Sequence, residues 1–294
     1  MIIIKELSIK NDNYPKLLKN IKNPPQKLYV MGNINLLNSK SMAVVGSRKS
    51  TIRGEKIAKL FSKDIVNQGI NTISGMALGI DTVVHQSTLE FGGKTIAILG
   101  SGFNKIFPKE NKQLFYNILD SGGAIVTEYS PNTEKCPENF RQRNRIISGM
   151  SIGVLVIEAA YRSGTSITVK YAKEQGKKIF CIPHEIDSKN GIGTNKFIRE
   201  GAILVNNIEE IMKEYGVSKI KKEKKVIKEE KTIEIEKEYI KIHNAIKNSP
   251  VTLEEIIKAV KEDISQINVK LVMMELKGYI KKLPGNYYIR NGDE

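Results

Sequence analysis

From residue 41 to about 213, short apolar runs alternate with amphipathic ones. Met42-Ala43-Val44-Val45, closed by Gly46, reads as a strand buried on both faces. Apolar residues at 57, 58, 60, 61 and 65 then fall at helical spacing. The same alternation predicts strands at 42–46, 70–74, 94–99, 124–128, 152–158, 178–183 and 202–206. It predicts helices at 54–68, 78–91, 109–121, 139–148, 165–175, 193–200 and 208–215. Gly69, Gly75, Gly100, Gly176 and Gly201 punctuate the ends. The pattern is that of an α/β domain with a Rossmann-like, doubly wound, mostly parallel sheet over 41–215.

Residues 1–40 read as an N-terminal extension packed on that core, with a short helix at Tyr14-Pro15-Lys16-Leu17-Leu18 and an edge strand over Lys27–Gly32. Residues 216–238 hold eight Lys and six acidic residues and read as a charged linker. In 239–294, Ile240, Ile242, Ala245 and Ile246 form one stripe, and Thr252 and Glu255 have capping-box spacing. A helix through Leu276 precedes a hairpin around Pro284-Gly285. Three helices and a hairpin predict a small winged-helix domain.

Ligands of doubly wound sheets bind at the carboxyl ends of the strands. The segments expected there are Gly46-Ser47-Arg48, Gly75 to Asp81, Gly100-Ser101-Gly102 leading to Phe107-Pro108-Lys109, Glu128 to Arg145, and Arg162-Ser163-Gly164-Thr165. Small residues, hydroxyls and Arg gather on this rim, which suits phosphate or sugar-phosphate. Ser47 is expected to cap the first helix, whose N-terminus would face the ligand.

The net charge of +15 points to a polyanionic partner. Lysines number 39 against eight arginines, so arginine placement carries more information than total charge; three lie at 141, 143 and 145. Arg141 and Arg145 are one helical turn apart with Asn144 beside them, and Phe140 offers a ring face. Guanidinium forks with an aromatic platform are what single-strand binding uses. Cys136 and Cys181 have no metal or redox spacing and fit a reducing, cytoplasmic compartment. No apolar run is long enough to span a bilayer, and Met1-Ile2-Ile3-Ile4, cut off by Lys5, does not read as a signal peptide.

Several motifs fail. Gly93-Lys94-Thr95 has Thr88 in place of the first Walker glycine and leads into a strand. Gly100-Ser101-Gly102 and Gly191-Ile192-Gly193 are followed by Lys105 and Lys196 at the third glycine's place. His85, His184 and His243 show no zinc spacing. Asp81 and His85, four apart, read as a helix-surface pair rather than an acid–base couple. No catalytic residue, metal or cofactor is assigned.

In order along the chain, Tyr14-Pro15, Pro24-Pro25, Gly46-Ser47-Arg48, Ser74-Gly75-Met76-Ala77-Leu78-Gly79-Ile80-Asp81, Phe107-Pro108 with Glu110-Asn111, Arg143-Asn144-Arg145-Ile146-Ile147-Ser148-Gly149, Val156-Ile157-Glu158-Ala159, Ser163-Gly164-Thr165 and Gly193-Thr194-Asn195 to Gly201-Ala202 resemble the DNA-processing protein A (DprA/Smf) family. The C-terminal unit resembles that family's winged helix. The resemblance implies a non-enzymatic, homodimeric binder of single-stranded DNA that helps load RecA during natural transformation. It implies DNA contacts from Gly46, Ser47, Arg48, Phe140, Arg143, Asn144 and Arg145, and the rim adds Lys109, Ser163, Gly164 and Thr165 as expected DNA contacts. Self-association is expected around Asn195, Phe197 and Ile198. The chain departs from the family in having no full N-terminal SAM-like domain and in Arg141, where many relatives carry proline.

Two other functions are weighed. A phosphoribohydrolase of the lysine-decarboxylase-like kind shares a similar sheet. However, Glu158-Ala159-Ala160 stands where its Pro-Gly-Gly motif would open, and Ser166-Ile167-Thr168 leaves out the motif's acid. A duplex-reading regulator would need a basic recognition helix, whereas 265–275 holds one Lys and no Arg.

Overall fold

The strands of the first unit send alternate residues to opposite layers, as an apolar run buried on both faces must. In β3 (Ser41–Val45), Ala43 and Val45 join one core layer, while Met42 and Val44 join the other. The computed structural model describes residues 3–161, 163–217, 236, 238–246, 251–260, 262–283 and 285–290. It divides into units 1–222 and 223–294. Most of the expected linker, with Arg162, Pro250 and Pro284, lies outside the described residues.

Eight further strands complete the sheet: β1 (Lys5–Ser8), β2 (Lys27–Gly32), β4 (Asn71–Ser74), β5 (Thr95–Ile98), β6 (Ala124–Thr127), β7 (Gly153–Val156), β8 (Lys178–Cys181) and β9 (Ile203–Leu204). Their order is β1-β2-β6-β5-β4-β3-β7-β8-β9. β1 and β2 are antiparallel to their neighbours and the others run parallel. Lys27–Gly32 is therefore not an edge strand. Lys5–Ser8, a mostly polar segment with only Leu7 buried, covers it.

Helices α1 (Lys16–Lys19), α2 (Ile52–Asn67), α3 (Ile80–Glu90), α4 (Lys112–Asp120), α5 (Pro137–Gly149), α6 (Gly164–Glu174), α7 (Ile192–Arg199) and α8 (Ile208–Lys213) connect the strands. Consecutive strands run outward from β3 to β6 in one direction and from β7 to β9 in the other. The order thus reverses between β3 and β7, and a crevice opens at the carboxyl ends of those two strands.

The second unit packs α9 (Ile240–Ala245), α10 (Leu253–Val260) and α11 (Ile264–Leu276) on a small antiparallel sheet. That sheet is formed by β10 (Val251–Thr252), β11 (Ile280–Leu283) and β12 (Tyr287–Arg290), in the order β10-β12-β11. Ile242, Ile256, Ile267, Leu271, Met274 and Tyr288 fill its core. The capping box forms: Glu255 N donates to Thr252 Oγ1 at 3.2 Å and Thr252 N donates to Glu255 Oε2 at 2.8 Å. This is a winged helix.

Candidate nucleic-acid interface

The turn after β3 closes on its own hydroxyl. Lys49 N donates to Ser47 Oγ at 3.1 Å, and Ser47 Oγ donates to the Lys49 carbonyl at 2.9 Å. Thr165 Oγ1 donates to the Gly46 carbonyl at 3.0 Å, tying this turn to the start of α6 across the switch point. From the other side, Ile80 N donates to the Ser47 carbonyl at 3.1 Å. Gly79 lies at φ +78°, and a Cβ there would fall on that carbonyl, so only glycine fits. Ser47 is buried by these contacts while Arg48 stands exposed. Among the described residues the Arg48 side chain makes no hydrogen bond or ion pair.

Ser47 does not cap α2. The helix starts at Ile52 with Thr51 as its cap, and Thr51 Oγ1 accepts from Gly54 N at 3.0 Å. The fully buried Glu158 then occupies the place expected for a ligand's phosphate. Its carboxylate accepts from Thr51 N at 3.1 Å and from Thr51 Oγ1. An internal anion therefore satisfies the positive end of α2.

The helix terminus that stays open at the crevice is that of α6. Its N-cap Ser163 makes no side-chain cap bond, and Ser163 Oγ is buried with no partner among the described residues. Gly164 is exposed, with open space where a Cβ would lie. Free N–H groups and the helix dipole at such an end attract an anion.

The arginine trio divides three ways. Arg141 is exposed, 3.8 Å from Glu138. Arg145 is held by Glu128 in a bidentate pair, 2.6 Å at both oxygens, and donates to the Asn23 carbonyl at 2.9 Å. Arg143 is buried, 3% exposed. Its Nη1 donates to the Gly75 carbonyl at 2.7 Å and to the Ile98 carbonyl, and its Nε donates to Asn144 Oδ1 at 3.2 Å. Asn144 is buried too and donates to the Gly164 carbonyl at 3.3 Å. Arg143, Asn144 and Arg145, expected at the strand, thus have their side chains hydrogen-bonded within the protein. Their hydrogen bonds join the loop after β4, the end of β5 and the loops after β6 and β7, so they position the rim.

Asp81 and His85 are both buried, so they are not a helix-surface pair. Asp81 Oδ2 accepts from Gly75 N at 3.1 Å and Ala77 N at 3.3 Å. Burial pushes its carboxyl up, while the Arg143 charge and its donors pull it down. His85 Nδ1 lies 2.7 Å from Thr95 Oγ1. Burial, helped by Arg143, lowers its pKa to about 3. Arg143 itself is lowered to about 10 by burial, opposed by Asp81 and reinforced by Arg48, so it stays charged at neutral pH.

Phe140 is half-buried, with its ring against Gly100 and its centroid 5.5 Å from that of Phe107. Lys135 Nζ lies 4.3 Å from the Phe107 centroid. Lys109 is exposed at the 3₁₀ turn Lys109–Asn111. That turn is fastened by the buried Asn111, whose Nδ2 donates to the Met76 carbonyl at 2.9 Å. Glu158 and Phe107 stand in segments quoted from the sequence but are given no role of their own there, and Lys135 is not named at all. The signal for Glu158 was present: a carboxylate directly after an apolar parallel strand is delivered to the crevice.

In α7, Phe197 is packed into the core and Ile198 rests half-buried against it. Asn195 Oδ1 accepts from His184 N at 3.1 Å and its Nδ2 donates to the His184 carbonyl at 2.9 Å. Asn195 and Phe197, where self-association is expected, thus have their side chains committed within the fold. The residues α7 exposes are Ile192, Lys196 and Arg199.

A family model described as "DNA recombination-mediator protein A" matches residues 5–216, and one described as "DprA winged helix domain" matches 228–286. The chain belongs to the DprA family. Protein Smf of Escherichia coli is 34% identical over 278 residues, covering 93% of this chain and 74% of that protein. DNA processing protein DprA of Streptococcus pneumoniae is 38% identical over 208 residues, covering 71% of this chain and 73% of that protein. The X-ray structure of the S. pneumoniae DprA superimposes with a TM-score of 0.68 at 37% identity, over 72% of this chain and 74% of that one. A DprA structure from Helicobacter pylori, titled for its single-stranded DNA binding mode, gives 0.65 at 26% identity, over 72% of this chain and 95% of that one. Membership covers both units.

Proposed function

We propose that this DprA-family chain holds single-stranded DNA by its sugar-phosphate backbone across the crevice between β3 and β7, as a recombination mediator without catalysis. The supporting observation is the pairing of exposed Arg48 with the open N-terminus of α6, linked through the Gly46 carbonyl and Thr165 Oγ1 at 3.0 Å. Arg48 supplies a planar fork for a phosphate, and the amides at Gly164 and Thr165 supply a second anion position. Lys109 adds charge along the rim, and the free part of the Phe140 ring offers a stacking face. Nothing in this set reads a base edge, so little sequence preference follows. Asp81 and His85 are tied into structural hydrogen bonds, which fits binding rather than turnover.

The family resemblance extends the reading to a homodimer that delivers the strand to RecA in the cytoplasm during transformation. No helix among the described residues is long and apolar enough to cross a membrane. The test is a fluorescence isotherm on a short oligo-dT at several salt concentrations, beside its duplex. Single-strand affinity should fall with salt at a slope of about −0.7 per phosphate contacted, and Arg48→Ala should weaken it. Equal affinity for duplex, or a variant that binds like wild type, overturns the reading.

A further inference from the structure

Two helices start at the switch point, α2 after β3 and α6 after β7, and only α6 is open. In doubly wound folds the helix after the first central strand holds a nucleotide's phosphate at its N-terminus. Here Glu158, two residues beyond β7, fills that position from within the chain. The residue is fully buried, and its carboxylate accepts from Thr51 N at 3.1 Å and from Thr51 Oγ1.

The first turn of α2 is shaped around this carboxylate. A Cβ at Gly54 would overlap it, so the turn leaves room for an anion and for no side chain of its own. Buried carboxylates are ordinarily paired with a cation. Among the described residues, this one takes its hydrogen bonds from Thr51 alone, at a helix end, as a bound phosphate would. We propose that Glu158 is a specificity-determining residue, an internal phosphate surrogate that bars free nucleotides from α2 and restricts the crevice to polymers.

This inference rests on the strand-binding reading above. With α2 closed, the positions left for phosphate are the Arg48 fork and the end of α6, where Ser163 Oγ is buried without a partner among the described residues. A nucleoside monophosphate brings one phosphate to them. A strand brings several on one backbone, and joined contacts reinforce one another. A chain of net charge +15 attracts small phosphates as well as strands, so charge alone does not make this distinction.

The test is thermal unfolding of the full-length chain, Glu158→Ala and Glu158→Gln, each titrated with inorganic phosphate, with dTMP and, at matched ionic strength, with chloride. Thr51 is exposed, so the position lies just beneath the surface and the alanine variant should open it. Phosphate and dTMP should then raise the Tm of Glu158→Ala by several degrees over chloride. The original chain and Glu158→Gln, in which a side chain still fills the position, should show less than half of that rise. If Glu158→Ala does not fold in chloride, refolding in phosphate or dTMP should recover it. No effect of either on Glu158→Ala, or rises of half or more in the other two proteins, overturns the proposal. A response to phosphate without one to dTMP also overturns it, because the carboxylate would then be a helix cap only. These measurements contain no DNA, so their failure is distinct from failure of the oligo-dT isotherm.

Discussion

The Arg143 guanidinium donates to the Gly75 carbonyl at 2.7 Å, beneath the rim rather than on it. Gly75 N in turn donates to Asp81, so a buried cation and a buried carboxylate hold opposite ends of one peptide segment. The loop after β4 thereby gains a fixed shape, and Ile80 N at its end donates to the Ser47 carbonyl. Arg143 reaches the turn after β3 through this chain of contacts.

Arg143→Ala should accordingly be a stability variant. Removing one member of a buried charge pair leaves the other uncompensated, at about 3–5 kcal/mol. Urea unfolding should show the loss without any DNA present.

Arg48→Ala should do the reverse. An exposed side chain without protein partners contributes little to folding, so the unfolding midpoint should stay within error of wild type. Single-strand affinity should fall by about 1–3 kcal/mol, the range of a charge-assisted contact. The salt slope should shrink by about 0.7 for each phosphate that the variant no longer grips.

Arg145 and Glu128 form a pair in which each side chain is 14% exposed. A double-mutant cycle on Arg145→Met and Glu128→Gln should give a coupling of about 1–3 kcal/mol. A coupling near zero in urea melts would show the pair to be incidental to stability.

His85 should make folding sensitive to acid. Its native value of about 3 lies below the ordinary 6.5, so the unfolded chain takes up a proton that the native protein refuses. The contribution is complete above pH 6.5 and is lost as pH falls from there towards 3, at about 1.4 kcal/mol per unit. His85→Gln should show a shallower fall in urea midpoint between pH 6 and 4.5. The His85 ring signals in NMR should stay those of a neutral imidazole across that range.

Glu158→Gln should weaken the start of α2 by about 1–2 kcal/mol, since the helix end loses its fixed anion. Thermal melts should show this, and added inorganic phosphate should not restore it, because the position is closed to solvent.

From residue 41 onward the order of strands and helices, the doubly wound sheet, the winged helix and its capping box were legible in the chain, whereas the mostly polar edge strand Lys5–Ser8 was not. Apolar runs of four to six residues and their glycine stops are local properties, and so is helical periodicity. The rim position of Gly46-Ser47-Arg48 followed too, because strand direction fixes which end each loop occupies. Which arginine faces the ligand was not legible. Residues two apart on a helix point about 200° apart, so Arg141, Arg143 and Arg145 enter different surroundings. Arg143 is drawn inward by carbonyls 68 and 45 residues away, and Arg145 by a carboxylate 17 residues away. Likewise, Glu158 reaches the end of α2 across 107 residues of sequence. Partners so distant are chosen by the packing of the sheet, and only that packing decided which charges remain for a ligand.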